Sequence, residues 1–222
     1  MLLVGALFLS SCGLWPKTHL LRYIMTVEVE TPTGVRRGSG TIEIRIRKSG
    51  LLPGPPVTFG LAGEAVAIDL PNGQTLFALV TQPMNPDAAI HLPFEVFQSE
   101  IDRIDPQEAG DVPDWPRRVT QLTLQRPSAD LIGGQRPFLV RFRDLARPET
   151  VEDVDPDRLS DAFGAGYRLR RITIAITDEP PSKGIAQRLP WLGSRSADFF
   201  RNVPTPKEPI DLVSRREFQM DR

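Results

Sequence analysis

The densest group of side chains with chemical potential is acidic and lies in the second half of the chain. It comprises Glu152, Asp153, Asp155, Asp157 and Asp161. Four of these aspartates have the spacing of ligand positions 1, 3, 5 and 9 in a calcium-binding loop. Arg158 stands where that loop requires glycine, and Gly164 where it requires a bidentate glutamate. Capping of a helix by Asp155 explains the same residues more simply, so we predict no metal site.

Nucleophilic catalysis has few candidate groups in this sequence. Ser39 lies between two glycines, but in a predicted hairpin and not at the strand-to-helix turn that exposes a catalytic serine. A hydroxyl nucleophile needs a base, and the only imidazoles belong to His19 and His91, far apart in the chain. The single cysteine, Cys12, excludes an internal disulfide and a multi-cysteine zinc site. We therefore assign no catalytic residue and no cofactor, and leave open a hydrolase that uses two of the 28 acidic residues.

Arginines recur at outward positions of the predicted strands. They are Arg45, Arg47, Arg141, Arg143, Arg168, Arg170 and Arg171. On a shared sheet face, such arginines would attract anions such as lipid phosphates or acidic polysaccharide. The candidate surface for an anionic ligand comprises Arg141, Arg143, Arg168 and Arg170. The alternative is a solvated face whose arginines pair with Glu28, Glu43 and Asp144.

An apolar segment at 189–192 contains Trp191 and follows the last predicted strand. A tryptophan outside a sheet can anchor a partner protein, so Trp191 is a candidate partner anchor. The alternative is that the segment folds back and closes the core.

Composition restricts the class of protein. The chain has 222 residues and a net charge of −1, with 27 Lys and Arg against 28 Asp and Glu. This balance lacks the basic footprint of a nucleic-acid-binding protein, so we expect no nucleic-acid partner. The 22 prolines and 17 glycines predict many turns in a folded domain.

Alternating apolar and polar residues predict strands along most of the chain. Residues 23–30 and 42–47 alternate around a turn at 31–34, which predicts a hairpin with one solvated face. Residues 64–70 and 74–80 flank Asn72-Gly73, the signal for a two-residue turn with positive φ at both residues. Because both of these strands are apolar on both sides, we predict that they lie in the middle of the sheet.

Further strands are predicted at 94–98, 119–125, 138–143 and 167–177. The apolar parity of the last strand changes at Arg170-Arg171, which predicts a β-bulge there. A short helix is predicted to begin at Asp155 and to end at Gly164, and a second to span 194–202. The predicted fold class is all-β and mainly antiparallel, a β-sandwich or partly closed barrel with one or two short helices.

The N-terminal residues predict where in the cell the protein is located. Residues 2–9 are apolar and uncharged, too short to span a bilayer but long enough for a signal peptide. The following Leu9-Ser10-Ser11-Cys12 resembles the lipobox of bacterial lipoproteins, and Gly13 resembles the pattern sorted to the outer membrane. The resemblance implies cleavage before Cys12 and acylation of Cys12, which would hold the protein on a membrane. The alternative is a structural N-terminal segment with a small buried cysteine.

Together these patterns predict a signal peptide at 1–11, a lipidated tether at 12–22, one β-rich domain at 23–192, and a short helix with a partly ordered tail at 193–222. We expect a lipid-anchored protein of the bacterial cell envelope, on the periplasmic face of the outer membrane, that binds or scaffolds without catalysis. Its expected partners are the membrane, through the acyl chains, and an envelope protein or an anionic envelope component. A periplasmic carboxylate-dependent hydrolase is the alternative.

Overall fold

Two antiparallel sheets and several short helices form the described structure. The computed structural model describes residues 17–48, 57–82, 84–103, 113–193 and 213–221. The lipobox residues and the helix predicted at 194–202 lie outside these ranges. The strands are β1 (Thr18–Thr31), β2 (Gly34–Lys48), β3 (Val57–Glu64), β4 (Val66–Asp69), β5 (Thr75–Ala78), β6 (Ser128–Asp130), β7 (Leu139–Phe142), β8 (Val151–Asp153), β9 (Arg168–Ile176) and β10 (Gln219–Asp221). The α-helices are α1 (Ala88–Val96), α2 (Gln98–Asp102), α3 (Trp115–Gln125), α4 (Leu159–Phe163), α5 (Ile185–Arg188) and α6 (Arg215–Phe218).

The larger sheet has six strands in the order β10-β3-β2-β1-β9-β6. Its centre is the long β1/β2 hairpin, which confirms the hairpin expected from the alternation around 31–34. The alternate residues Tyr23, Met25 and Val27 are buried on the inner face of β1. The opposite face is polar and is partly covered by the segment after β9, where the Ser182 N–H donates to the Thr41 carbonyl at 3.0 Å.

The smaller sheet has four strands in the order β4-β5-β7-β8. The predicted hairpin around Asn72-Gly73 is present, but β4 is an edge strand, so the prediction of two central strands is wrong for β4. Both faces of these strands are nevertheless covered, because one apolar cluster lies on each side of the sheet.

The turn of this hairpin differs from the predicted two-residue type. The Gly73 N–H donates to the Leu70 carbonyl at 3.0 Å, which places Pro71 and Asn72 at the centre of a β-turn. Gly73 has a φ of 79°, whereas Arg126 is the only non-glycine residue with positive φ in the described ranges, so the prediction for Asn72 is wrong. The reason is Pro71, whose ring fixes a negative φ and extends the loop by one residue, with Gly73 supplying the left-handed step.

The main core lies between the large sheet and two different covers. Near the β1/β2 turn the cover is the small sheet, which approaches so closely that a Cβ on Gly38 would lie 2.4 Å from the Ala67 carbonyl oxygen. Towards Thr18 the cover is helical: the Tyr23 hydroxyl donates to the Ala89 carbonyl of α1 at 3.0 Å. A second core on the other face of the small sheet is closed by α5, the 3-10 turn Pro190–Gly193, and Phe218.

Helices replace two predicted strands. Residues 94–98 lie in α1 and the start of α2, and 119–125 lie in α3. In α3 the buried Val119 and Leu122 are three residues apart and share a helical face. The Thr120 and Thr123 hydroxyls donate to carbonyls four residues earlier, which satisfies them within the helix. Short segments of this length can form either a strand or a helix, and here tertiary packing favours the helix.

Other predicted boundaries move by a few residues. The bulge at Arg170-Arg171 is confirmed, because Glu28 pairs with Arg171 whereas Val29 pairs with Leu169. Helix α4 is terminated by Gly164 as predicted, but it begins at Leu159, not at Asp155. The Asp155 carboxylate instead accepts from the Asp157 N–H at 2.9 Å and closes a separate turn.

At the ends of the domain, β1 already begins at Thr18, within the range assigned to the tether, and β10 pairs with β3, within the range assigned to the tail.

Candidate functional site

Three arginines surround one buried carboxylate on the polar face of the large sheet. We call Glu28, Arg37, Arg170 and Arg171 the Glu28 cluster. Arg171 donates from Nε and Nη2 to the two oxygens of Glu28, at 2.9 and 3.1 Å. Arg37 also donates to the carboxylate, and Arg170 Nε lies 3.7 Å from it. The side chain of Glu28 is only 3% exposed although it lies on the outward face, because the arginines cover it.

Strand register builds this cluster. Glu28 on β1 lies directly opposite Arg37 on β2 and Arg171 on β9, so two guanidinium groups reach it from neighbouring strands. In a regular strand Arg170 would point to the face opposite Arg171. The bulge leaves Arg170 without a partner on β1 and lets both arginines approach the same carboxylate.

The arginines hold Glu28 in its charged form. The bidentate bond from Arg171 is the main cause that lowers the pKa of Glu28 from its ordinary 4.5 to about 2; burial opposes this shift, and the bond from Arg37 adds to it. The same ion pair raises the pKa of Arg171. The carboxylate is therefore an acceptor fixed in the sheet, around which the guanidinium groups are oriented.

The cluster retains unused capacity to bind an anion. Each guanidinium has five N–H donors, and one carboxylate engages only some of those of Arg37, Arg170 and Arg171. These side chains are between 47% and 63% exposed. The neighbouring Arg168, paired with Glu30 at 2.8 Å, is 79% exposed and extends the surface. With Asp130 also close enough to act on Arg171, four arginines face three acidic groups, of which only Glu28 is buried.

The four arginines predicted to share one anionic-ligand face do not do so. Arg168 and Arg170 lie on β9 of the large sheet, whereas Arg141 and Arg143 lie on β7 of the small sheet. Arg141 and Arg143 both pair with Glu152, at 2.9 and 2.8 Å. The predicted set therefore divides into two separate groups, because alternation along a strand gives the face within a sheet but not which sheet a strand joins.

Arg37 is not among the residues predicted for the anionic-ligand surface, although the sequence carries a signal for it. If Pro32-Thr33 is a two-residue turn, Thr31 lies opposite Gly34. Continuing this register along the two strands places Glu28 opposite Arg37, as observed. The exact turn length had to be assumed for this count, and the turn was predicted only from its composition.

The remaining carboxylates with perturbed acidity are arginine-paired as well. Burial raises the pKa of Glu43, but bonds from Arg22 and Arg45 outweigh it and lower the pKa overall. A bidentate ion pair from Arg188 lowers the pKa of Asp69. A carboxyl that acts as a general acid needs its pKa raised. In the described ranges every resolved carboxyl shift is downward.

Trp191 belongs to the second core and is not an exposed anchor. It is 9% exposed, its ring meets Phe218 edge-on at 5.6 Å, and its Nε1–H donates to the Leu145 carbonyl at 3.0 Å. The prediction of a partner anchor therefore gives way to its alternative, in which the segment folds back on the core. Burial of a large ring with its one donor satisfied is the stable outcome for tryptophan.

Cys12 lies outside the described residues, so its modification stays a prediction. Within the described ranges, no group of three His, Cys, Asp or Glu side chains is arranged to hold a metal ion. In the same part of the chain, none of the helices has the length and apolarity to cross a bilayer. Comparison with known proteins gave no match to any family model, curated protein or solved structure.

Proposed function

We propose that the protein is a lipid-anchored lipoprotein of the bacterial cell envelope, on the periplasmic face of the outer membrane. In this proposal it binds an anionic envelope component through the Glu28 cluster and Arg168, and it performs no catalysis. The lipobox-like Leu9-Ser10-Ser11-Cys12 supports the anchor. Three guanidinium groups oriented around one buried carboxylate support the binding role.

The place of the cluster along β1 agrees with this arrangement. Cys12 precedes Thr18, the first residue of β1, by six residues, which span at most about 20 Å when extended. Glu28 lies ten residues further along the same strand, about 33 Å from Thr18. An acyl group on Cys12 would thus hold the Thr18 end close to the membrane and leave the Glu28 cluster at the opposite end.

The chemistry of the cluster favours ligands with several anionic oxygens. Exposed guanidinium groups bind carboxylates and phosphates through paired N–H donors. Because Glu28 keeps Arg171 and Arg37 in place, an incoming anion would meet partly oriented donors, which lowers the entropic cost of binding. Acidic polysaccharide and anionic lipid headgroups are the envelope components with this chemistry.

Paired arginine variants test the binding role. The double variant Arg37→Gln/Arg168→Gln should weaken binding to polygalacturonate, an acidic polysaccharide, by about tenfold. The matched control is Arg143→Gln/Arg147→Gln, which removes the same charge from side chains of similar exposure, 71% and 64%, elsewhere on the protein. Binding should also weaken with salt, since exposed charges are screened beyond roughly 8 Å at physiological ionic strength. Equal loss in both double variants would show a general charge effect and contradict the proposal.

The carboxylate-dependent hydrolase is less well supported. Its general acid would need a raised pKa, whereas Glu28, Glu43 and Asp69 are held ionised by arginines. Screening the full chain against glycans and esters tests this alternative. Activity lost on substitution of a single carboxylate would favour the hydrolase over the binding protein.

A further inference from the structure

A small cavity lies where four parts of the fold meet, away from the Glu28 cluster. It has a volume of about 80 Å³ and is bounded by Met25 of β1, by residues 79–82 after β5, by α1, and by the loop at 134–137. A water molecule needs roughly 10–15 Å³ of such space, so the cavity has room for a molecule of a few heavy atoms.

One buried hydroxyl in the cavity wall has no hydrogen-bond partner among the described residues. It belongs to Thr81, which is 1% exposed and lines the cavity. Buried hydroxyls are nearly always hydrogen-bonded in folded proteins, so an unpaired one in a cavity wall indicates a missing partner.

Two further polar side chains of the wall are also unused. The carboxylate of Glu95 and the amide of Asn85 make no side-chain hydrogen bond or ion pair within the described structure. Both residues are exposed as well as lining the cavity, so they lie at its opening, and among the described residues no cation pairs with the Glu95 carboxylate. The polar part of the cavity thus combines an anionic acceptor, a hydroxyl and an amide, which suits a group with several N–H donors and a positive charge.

Part of the wall is apolar, and Gln82 and Gln135 add two amide side chains to its polar part. Met25, Leu79 and Leu92 are buried and line the same space. An alkyl group would therefore find apolar surface within the cavity.

We infer that this cavity binds a small cationic amphiphile, a short branched alkylamine or an alkylammonium group of that size, with its ammonium at Glu95 and Thr81 and its alkyl part against Met25 and Leu92. The inference goes beyond the proposed function and is independent of it, because none of these residues belongs to the Glu28 cluster.

Ligand-observed NMR of the full chain with isobutylamine tests the inference. Isobutanol and isobutyrate serve as the neutral and anionic probes of the same shape. The amine should bind, the alcohol should bind more weakly, and isobutyrate should not compete with the amine. Equal binding of all three probes would contradict the role of the Glu95 charge.

Three single variants locate the site. Glu95→Gln and Thr81→Val should each reduce the affinity for isobutylamine by about tenfold, the effect of one charge-assisted hydrogen bond. Glu179→Gln, which removes an exposed carboxylate on the segment after β9, is the matched control and should leave the affinity unchanged. Amine binding that is unaffected by Glu95→Gln and Thr81→Val would overturn the site.

The thermal midpoint of Thr81→Val separates a ligand site from a structural role. Replacing an unpaired buried hydroxyl by a methyl group of similar shape should leave the midpoint unchanged or raise it. A lowered midpoint together with no amine binding to the unsubstituted protein would show that the hydroxyl serves the fold, and would also overturn the inference.

Discussion

Neutralising Glu28 should destabilise the protein more than neutralising any other carboxylate of the same strand. Glu28→Gln keeps the shape of the side chain but removes the charge that three arginines contact. Lowering the pKa of Glu28 from 4.5 to about 2 corresponds to an upper limit of about 3 kcal/mol of stability at neutral pH. The guanidinium groups are half exposed and therefore screened by solvent, so we expect a loss of about 1–2 kcal/mol.

The same ion pairs predict how this loss depends on pH. The pKa of Glu28 is lower in the folded than in the unfolded protein, so its contribution is complete above pH 4.5 and is lost as pH falls towards 2. At pH 3 the contribution should be less than about half of its value at pH 7. The difference in the free energy of unfolding between Glu28→Gln and the unsubstituted protein should shrink by the same proportion.

Urea denaturation at pH 7, pH 5 and pH 3 measures both quantities. Glu30→Gln is the matched control, because Glu30 lies on the same strand, is 39% exposed, and has one arginine partner, Arg168. Glu30→Gln should lower the free energy of unfolding by less than about 0.5 kcal/mol. Equal losses for the two variants, or a loss for Glu28→Gln that persists unchanged at pH 3, would refute the electrostatic reasoning.

Three further predictions concern the small sheet, the second core and the anchor. Gly73→Val should lower the free energy of unfolding, measured by urea denaturation, by about 1–3 kcal/mol because φ at Gly73 is 79°. Gly73→Asn should lower it by less, because asparagine tolerates positive φ better than valine. Equal losses for the two variants would contradict an origin in backbone strain. Trp191→Ala should cost about 3–5 kcal/mol by the same assay, as expected for a large aromatic residue of the core, and a loss below about 1 kcal/mol would contradict that role. Cys12→Ser should move the protein from the membrane fraction to the soluble fraction, whereas unchanged sedimentation with membranes would contradict an acyl anchor.

Local sequence signals predicted the parts of the fold that depend on local chemistry. Alternation predicted the β1/β2 hairpin, and the parity change at Arg170-Arg171 predicted the bulge that builds the Glu28 cluster. Gly164 ends α4 as expected of a glycine with positive φ. In each case the determining interactions lie within a few residues along the chain.

Long-range packing decided what the sequence could not predict. Residues 119–125 are apolar at spacings that fit a strand or a helix, and the contact of α3 with β1 selected the helix. Arg141 and Arg170 both occupy strand positions predicted to face outward, but their strands belong to different sheets. Trp191 is apolar enough for an anchor or a core residue, and its ring packs against Phe142 and Phe218 in the core.

The mass of the protein isolated from the membrane fraction tests the central claim most directly. The account predicts a chain that begins at Cys12, has lost residues 1–11, and carries the added mass of acyl groups on that residue. Conversely, a protein that retains residues 1–11 and carries no lipid would contradict the assignment to the lipoproteins of the cell envelope.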